Sequence, residues 1–597
     1  MDTMNATESR IEQLSRILKE AGDKLVITDE KADQLDHRFK SVLAKAYRGM
    51  SPIEINLAYL NWLSHLAISP GKQLQLTQSF WKKQLQMAIY SARSLIDSEA
   101  RGPASKLERR VSSDDWQRWP FKVLAQGHQS AKDWVNEATS DVSGVSASQL
   151  QLINFLSGQM LDAMSPANFP LTNPDLIRAT IVQRGKNLGR GLRYLAKDTV
   201  DRVLKRNVLT NKDFVVGDNL ATTQGKVVFQ NNLLELIQYS PTTEEVGTEP
   251  VLICPAWIMK YYILDLSAKK SLAKYLVDQG KTVFMISWKN PDQSDRNTGF
   301  EDYINHGLMA AIDAVSGICP RKKINAVGYC IGGTLLYATA ALMARENDDR
   351  LNSLSFFAAQ SDFSEAGEIT RFISDSQLEF LDNLMWKKGY LPSENMGKAF
   401  GALRASDLIY GSIVDRYFLG KEFAGNELMA WNADGTRMPY RMHSEYLHKL
   451  YSENQLARNL FIVNGKPVSL TDIITPMFVL GTETDHVAPW QSVYKIHGLT
   501  HTHLTFCLTS GGHNAGVISG PSHPRRHYRL HERKPGDNYT DPATWVAEND
   551  EQQGSWWPVW DQWLEEQMSG KNKAPKMGAA QKGYNVLRDA PGEYVFS

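Results

Sequence analysis

The sequence predicts an α/β fold in which a mainly parallel sheet, covered on both faces, follows a largely helical region. Three observations predict it. Apolar residues recur at helical spacing before about residue 207, and after about residue 213 short β-rich runs alternate with helical patterns. A gap over about residues 364–470 then separates two of the β-rich runs. A gap of that size is too long for a loop inside a compact sheet.

Taken in order, residues 1–35 form a polar, variable leader in which only Ile11, Leu14 and Leu18 have helical spacing. Residues 36–212 are expected to form a helical N-terminal domain. Ser51 before Pro52 marks a helix start, and Ile53, Leu57, Leu60 and Leu63 form a stripe that ends at Ser69-Pro70-Gly71. A second helical stretch covers about residues 148–207, where Asn173 before Pro174 reads as an N-cap and Leu188, Leu192 and Leu195 continue a stripe. Both stripes are expected to face a core. Residues 213–597 are expected to form the sheet domain, with strands over 227–237, 251–254, 283–287, 324–327, 354–358, 477–480 and 504–508. The 364–470 gap reads as an inserted, mostly helical cap over the strand ends, where open α/β sheets place their sites.

Composition narrows the function. Across 597 residues the formal net charge is zero and the pI about 7.2, which leaves no electrostatic footprint for nucleic acid or an anionic membrane. Cys254, Cys319, Cys330 and Cys507 stand singly, without metal-ligand spacing, and fit a reducing cytoplasm. The first residues lack a signal-peptide pattern, and no apolar run is long enough to span a bilayer, so neither secretion nor membrane insertion is expected. The 15 Trp, 22 Tyr and 21 Phe suit an apolar substrate or surface, and equally a large core.

The strongest chemical signal is Gly328-Tyr329-Cys330-Ile331-Gly332-Gly333, which follows a predicted strand and precedes a helix rich in small residues. This is the pattern of a nucleophile elbow with Cys in the place of Ser, and it specifies the fold further as an α/β-hydrolase fold. The glycines permit a sharp turn, and the following helix aims its N-terminal N–H groups at the thiol. Alone, the motif also fits a glycine-rich turn around an inert cysteine. In such folds the order along the chain is nucleophile, acid, histidine. Asp485 lies at the end of the 477–480 strand and His513 on the glycine-flanked loop after the 504–508 strand, completing that order. Asp362 is a rival acid, with an N-cap or a cap contact as its other role. Glu483 and His486 read as neighbours of the site or as surface residues.

Acyl transfer also needs N–H donors for the oxyanion. Ile331, after the nucleophile, supplies one, and Ile258, in the loop after the 251–254 strand, is the candidate for the second. Trp257 would wall the pocket, and Cys254 would pack within its strand. Gly280-Lys281-Thr282 matches the end of a phosphate-binding loop, but a strand follows where a helix is required. The cluster Arg525-Arg526-His527-Tyr528-Arg529 fits either a solvated basic face or a seat for the phosphates of a CoA leaving group.

From about Ser51 onward the chain resembles the polyhydroxyalkanoate (PHA) synthases, in the class I-like layout. The blocks that carry this are Asp162-Ala163-Met164-Ser165-Pro166-Ala167-Asn168-Phe169, Lys260-Tyr261-Tyr262-Ile263-Leu264-Asp265-Leu266, Ser287-Trp288-Lys289-Asn290-Pro291 and Gly554-Ser555-Trp556-Trp557-Pro558. Met259 departs from the Asn that many members carry before the Lys-Tyr-Tyr block.

The resemblance implies a Cys330–Asp485–His513 triad, oxyanion amides at Ile331 and Ile258, and a mobile cap. It implies polymerisation of (R)-3-hydroxyacyl-CoA, such as 3-hydroxybutyryl-CoA, with release of CoA and no separate cofactor. It further implies a homodimer on cytoplasmic polymer granules, in contact with the growing polyester and with granule-associated proteins. Two alternatives stand beside it: a thioesterase or dienelactone-hydrolase-like hydrolase with the same triad, and a non-catalytic granule scaffold.

Overall fold

The computed structural model describes residues 29–47, 50–97, 99–104, 107–204, 214–397, 406–422 and 425–597. Ile11, Leu14, Leu18 and the expected 212/213 boundary lie outside the described residues.

The N-terminal part is helical: α1 (Asp29–Ala46), α2 (Pro52–Ala67), α3 (Pro70–Ile96), α4 (Phe121–Ala138), α5 (Ala147–Ala163), α6 (Pro174–Val182) and α7 (Lys186–Val203). Local chemistry sets several of their starts. The Ser51 hydroxyl accepts the Glu54 N–H at 3.3 Å, and the Asn173 side chain accepts the Leu176 N–H at 3.2 Å, each with a proline in the first turn.

The apolar stripes did not go where the sequence suggested. Ile53, Leu57, Leu60 and Leu63 are all more than half exposed, as is Leu192, while Leu188 and Leu195 are also exposed. In α2 the buried face is instead the one carrying Ala58, Tyr59 and Trp62, which packs on Leu152 and Ile153 of α5. Trp62 also donates its indole N–H to the Ala138 carbonyl at 2.9 Å. Aromatic side chains with a polar handle thus won the interior over the leucine stripe.

An eleven-stranded sheet follows, with β1 (Gly225–Gln230), β2 (Leu234–Tyr239), β3 (Val251–Cys254), β4 (Val283–Trp288), β5 (Ile324–Tyr329), β6 (Leu351–Phe357), β7 (Met477–Thr482), β8 (Leu504–Thr509), β9 (His527–Arg533), β10 (Gln552–Gln553) and β11 (Arg588–Asp589). The order across the sheet is β10-β9-β8-β7-β6-β5-β3-β4-β2-β1-β11. The central run from β8 to β4 is parallel, and the flanking pairs are antiparallel. This is the α/β-hydrolase arrangement.

The expected single strand over 227–237 is in fact a hairpin. Asn231 accepts the N–H groups of Leu233 and Leu234 through its side chain and turns the chain between β1 and β2. Strand β9 shows in the sequence only as the basic cluster at 525–529, which overlaps its start. Charged residues mask an antiparallel strand near a sheet edge.

Between β6 and β7 lies the cap. It includes the helix Asp375–Trp386, shorter helical turns such as Glu427–Ala433 and Tyr440–Glu445, a small hairpin at 462–467 and a two-stranded pairing of Tyr390–Leu391 with Met438–Pro439. Much of the N-terminal helical part packs on this insertion. His37 of α1 hydrogen-bonds Asn383 at 2.6 Å and stacks on Trp386, Arg416 pairs with Asp198 of α7 at 2.5 Å, and Phe155 of α5 meets Phe372 edge to face. Among the described residues no helix is long and apolar enough to cross a membrane.

Candidate active site

The order of the parallel strands makes β3 a switch point, with β4 on one side and β5 on the other, so the loops after β3 and β5 face one another. Cys330 follows β5 and opens α8 (Ile331–Arg345) at φ 55°, ψ −128°, a strained conformation for a residue with a side chain. Glycines make the turn possible. A Cβ on Gly328 would lie 2.4 Å from the Gly333 Cα, and one on Gly332 would lie 2.3 Å from the Cys254 carbonyl oxygen. Both obstacles are backbone, so no rotamer change relieves them. Gly332→Ala is therefore expected to destabilise the fold by about 1–3 kcal/mol, read as a lower urea midpoint. An unchanged midpoint would show that the elbow and the β3 loop are not held this tightly.

Asp485 sits in the turn after β7, and its side chain is fully buried. One carboxylate oxygen accepts the N–H groups of Val487 and Ala488 at 2.8 and 2.9 Å. The other accepts the Thr482 hydroxyl at 3.0 Å and His513 Nδ1 at 2.7 Å. Burial on its own would raise the Asp485 pKa. The His513 charge and these donors outweigh burial and hold it below the ordinary carboxylate value. For His513 burial works the other way and favours the neutral ring. The Asp485 carboxylate, hydrogen-bonded to the ring, and the nearby Cys330 sulfur overcome it and hold His513 well above its ordinary value. Cys330, Asp485 and His513 are thus brought together, with the histidine between the other two.

The His513 loop is held from below by residues that sequence reasoning did not single out for this role. The Arg526 guanidinium donates to the Ser519 hydroxyl at 2.7 Å and to the carbonyls of Ser510 and Ala515 at 3.2 and 3.0 Å. Trp556 and Trp557 donate their indole N–H groups to the Gly516 and Val517 carbonyls, and Ser555 caps the Ser519 carbonyl at 2.6 Å. Tyr329 stacks on the His513 ring and donates to Asn514 at 2.5 Å. The tryptophan block at 554–558 was visible in the sequence. Its partners were not, because they lie some 40 residues away in the chain.

The basic cluster is not simply a solvated face. Arg526 is engaged as described, His527 pairs with Glu483 at 3.1 Å, and Arg529 donates to the Asn549 carbonyl at 2.9 Å. Asp362 makes a local turn instead: its carboxylate accepts the N–H and hydroxyl of Ser364 and faces Lys495. Cys254 is fully buried, and burial pushes its thiol well up.

Ile331 and Ile258 both belong to the buried cluster against which Cys330 packs. Among the described residues no hydrogen bond uses the Ile331 N–H, which is left free at the start of α8. From the cap, Phe363, Tyr446 and Tyr451 form an aromatic group, with Phe363 and Tyr451 centroids 4.8 Å apart. Burial is the main cause that raises both phenol pKa values, and after the mutual effect of the two tyrosines the Cys330 sulfur raises them further, so the pair stands within electrostatic reach of the thiol. Among the described residues no cluster of three or more His, Cys, Asp or Glu side chains is arranged to hold a metal ion.

Fold and site together define an α/β-hydrolase-fold protein with cysteine at the nucleophile position and an acid–histidine pair beside it. Models of known families match three parts of the chain: "Poly-beta-hydroxybutyrate polymerase N terminal" over residues 30–72, "Poly-beta-hydroxybutyrate polymerase (PhaC) N-terminus" over 107–276, and "alpha/beta hydrolase fold" over 249–517. A poly(3-hydroxyalkanoate) polymerase subunit of Rhizobium etli is 38% identical over 542 residues, covering 89% of this chain and 84% of its own. The corresponding subunit of Cupriavidus necator is 33% identical and covers 90% of both chains. A poly(3-hydroxyalkanoate) polymerase of Methylorubrum extorquens is 38% identical over 82% of this chain and 80% of its own. The chain belongs to the poly(3-hydroxyalkanoate) polymerase family.

Proposed function

We propose that this protein polymerises (R)-3-hydroxyacyl-CoA into polyester through an acyl-cysteine on Cys330, releasing one CoA for each unit added. The observation that carries the reading is His513, hydrogen-bonded to Asp485 at 2.7 Å and close enough to the Cys330 sulfur for it to favour the charged ring, in a chain with polymerase relatives along most of its length.

The Cys330 thiolate attacks the thioester carbonyl carbon, and the developing oxyanion is met by the N–H groups of Ile331 and Ile258. Collapse breaks the carbon–sulfur bond to CoA, and the departing thiolate takes the proton held on His513. In the second half-reaction His513 Nε2 accepts the proton of a chain or monomer 3-hydroxyl as that oxygen attacks the acyl-cysteine. An ester forms, and Cys330 leaves as thiolate beside the reprotonated ring. Asp485 fixes the Nδ1–H tautomer and stabilises the imidazolium throughout. Exchange of one thioester for another is close to isoenergetic, and the later transfer from thioester to oxygen ester is downhill, so the substrate supplies the driving force and no further cofactor is needed.

Water is the competitor, since hydrolysis would end each chain. The aromatic group of Phe363, Tyr446 and Tyr451, in the same apolar cluster that Cys330 packs against, is the natural barrier to it. The growing polyester, a granule surface and a second copy of the chain are the partners this reading brings with it.

A series of 3-hydroxyacyl-CoA thioesters of increasing length tests the proposal, following CoA release and insoluble polyester together. The expected result is CoA release matched by polymer, fastest with 3-hydroxybutyryl-CoA. CoA release matched by free hydroxy acid without polymer would replace this reading with a thioesterase.

A further inference from the structure

The loop between β3 and the Lys260-Tyr261-Tyr262 block is bound by the cap. The Thr436 hydroxyl donates to the Trp257 carbonyl at 2.5 Å, and the Thr436 N–H donates to the Ile258 carbonyl at 3.3 Å. Gly435 bridges to Met259, Trp431 donates its indole N–H to the Lys260 carbonyl at 2.8 Å, and Tyr262 donates to Asp434 at 2.9 Å. Cap residues 431–436 therefore take up the carbonyls of Trp257, Ile258 and Lys260. Both side chains that donate to those carbonyls, Thr436 and Trp431, are buried.

One of these bonds falls on the peptide unit that matters for catalysis. The Trp257 carbonyl and the Ile258 N–H belong to the same planar, trans peptide, so they point in opposite directions. Pinning the carbonyl toward the cap turns the N–H away from the cap. Without that pin the peptide can rotate by coupled changes in the flanking dihedrals, and the N–H loses its fixed aim.

From this geometry we infer that Thr436 is a positioning residue for the oxyanion hole, and that the hole is complete only while the cap is seated. The inference rests on the assignment of Ile258 as an oxyanion donor in the reading above. It gives the cap a second task. A cap that has lifted, and so admits water, would also release the Ile258 N–H, and attack on the acyl-cysteine would slow at the moment when hydrolysis becomes possible. Exclusion of water and stabilisation of the tetrahedral intermediate would then be one event.

Thr436→Val keeps the shape and removes the hydroxyl, and Thr436→Ser restores it. In the full-length protein with 3-hydroxybutyryl-CoA, Thr436→Val is expected to lower kcat on the order of 10²-fold, the scale of losing one oxyanion donor, with KM little changed. Thr436→Ser should recover most of it. Alkylation of Cys330 by iodoacetamide passes through no oxyanion and should run at the wild-type rate in all three proteins. A wild-type kcat in Thr436→Val would overturn the inference, and so would a loss shared equally between kcat and the alkylation rate, which marks general damage to the site. Failure of the wild-type protein to make polymer at all would instead overturn the proposed function. The two failures are therefore told apart.

Discussion

Cys330→Ala is expected to abolish polymer formation and to cut CoA release from 3-hydroxybutyryl-CoA by at least about 10⁴-fold. The size follows from what the residue is asked to do. No other described cysteine can replace it: Cys254 and Cys507 are fully buried and Cys319 nearly so, burial pushing the Cys319 thiol up to about 12 and the other two higher still. The alanine keeps a Cβ at the strained φ of 55°, so the elbow itself should survive, and near-wild-type unfolding would confirm that loss of turnover is chemical. Polymer made at an undiminished rate by this variant would favour a scaffold or an altogether different nucleophile.

Asp485→Asn is the second large effect, on the order of 10⁴-fold in kcat, because an amide at this place can donate to Nδ1 and fix the wrong tautomer. It also has a pH signature whose sign is set by the site. Burial lowers the His513 pKa, while Asp485 and then Cys330 raise it by more, so removing the carboxylate must bring it down. NMR titration of histidine-labelled protein is expected to show the ring losing its proton at lower pH in the variant than in the wild type.

Stability follows the same linkage. His513 has a raised folded pKa, so its contribution is complete below the ordinary value of 6.5 and is lost as pH rises through the folded value. Asp485 has a depressed one, so its contribution is present above 3.8 and is lost as pH falls through its folded value. Wild type should therefore exceed the variant in urea midpoint by most between pH 3.8 and 6.5, with the gap closing on either side. A gap independent of pH would mean that the pair is not ionised as described.

The parallel strands at the centre of the sheet, buried on both faces, were legible in the sequence. β3 and the elbow strand β5 each left an unbroken β-rich run, and the runs came in the order that the topology requires. What local pattern did not carry was the direction in which exposed helices face. The Leu stripe of α2 is intact in the sequence, yet its side chains are out in solvent, because burial was decided by Tyr59 and Trp62 and by helices nearly a hundred residues away.

For the site the division is similar. Cys330, Asp485 and His513 each announce themselves by a strand followed by a turn rich in glycine or polar residues. Arg526, Trp556 and Thr436 do not, since each acts on a backbone carbonyl that any residue could supply. Such partners leave no side-chain signature at the receiving end. Only the fold brings them together.

The most direct test is to find the acyl group. Wild-type protein mixed with 3-hydroxybutyryl-CoA, quenched in acid within the first turnovers and digested, should yield the peptide containing Cys330 heavier by a hydroxyacyl unit or a short oligomer of it, with the adduct removed by hydroxylamine. Polymer accumulating while that peptide stays unmodified, or the adduct on another residue, would contradict the account.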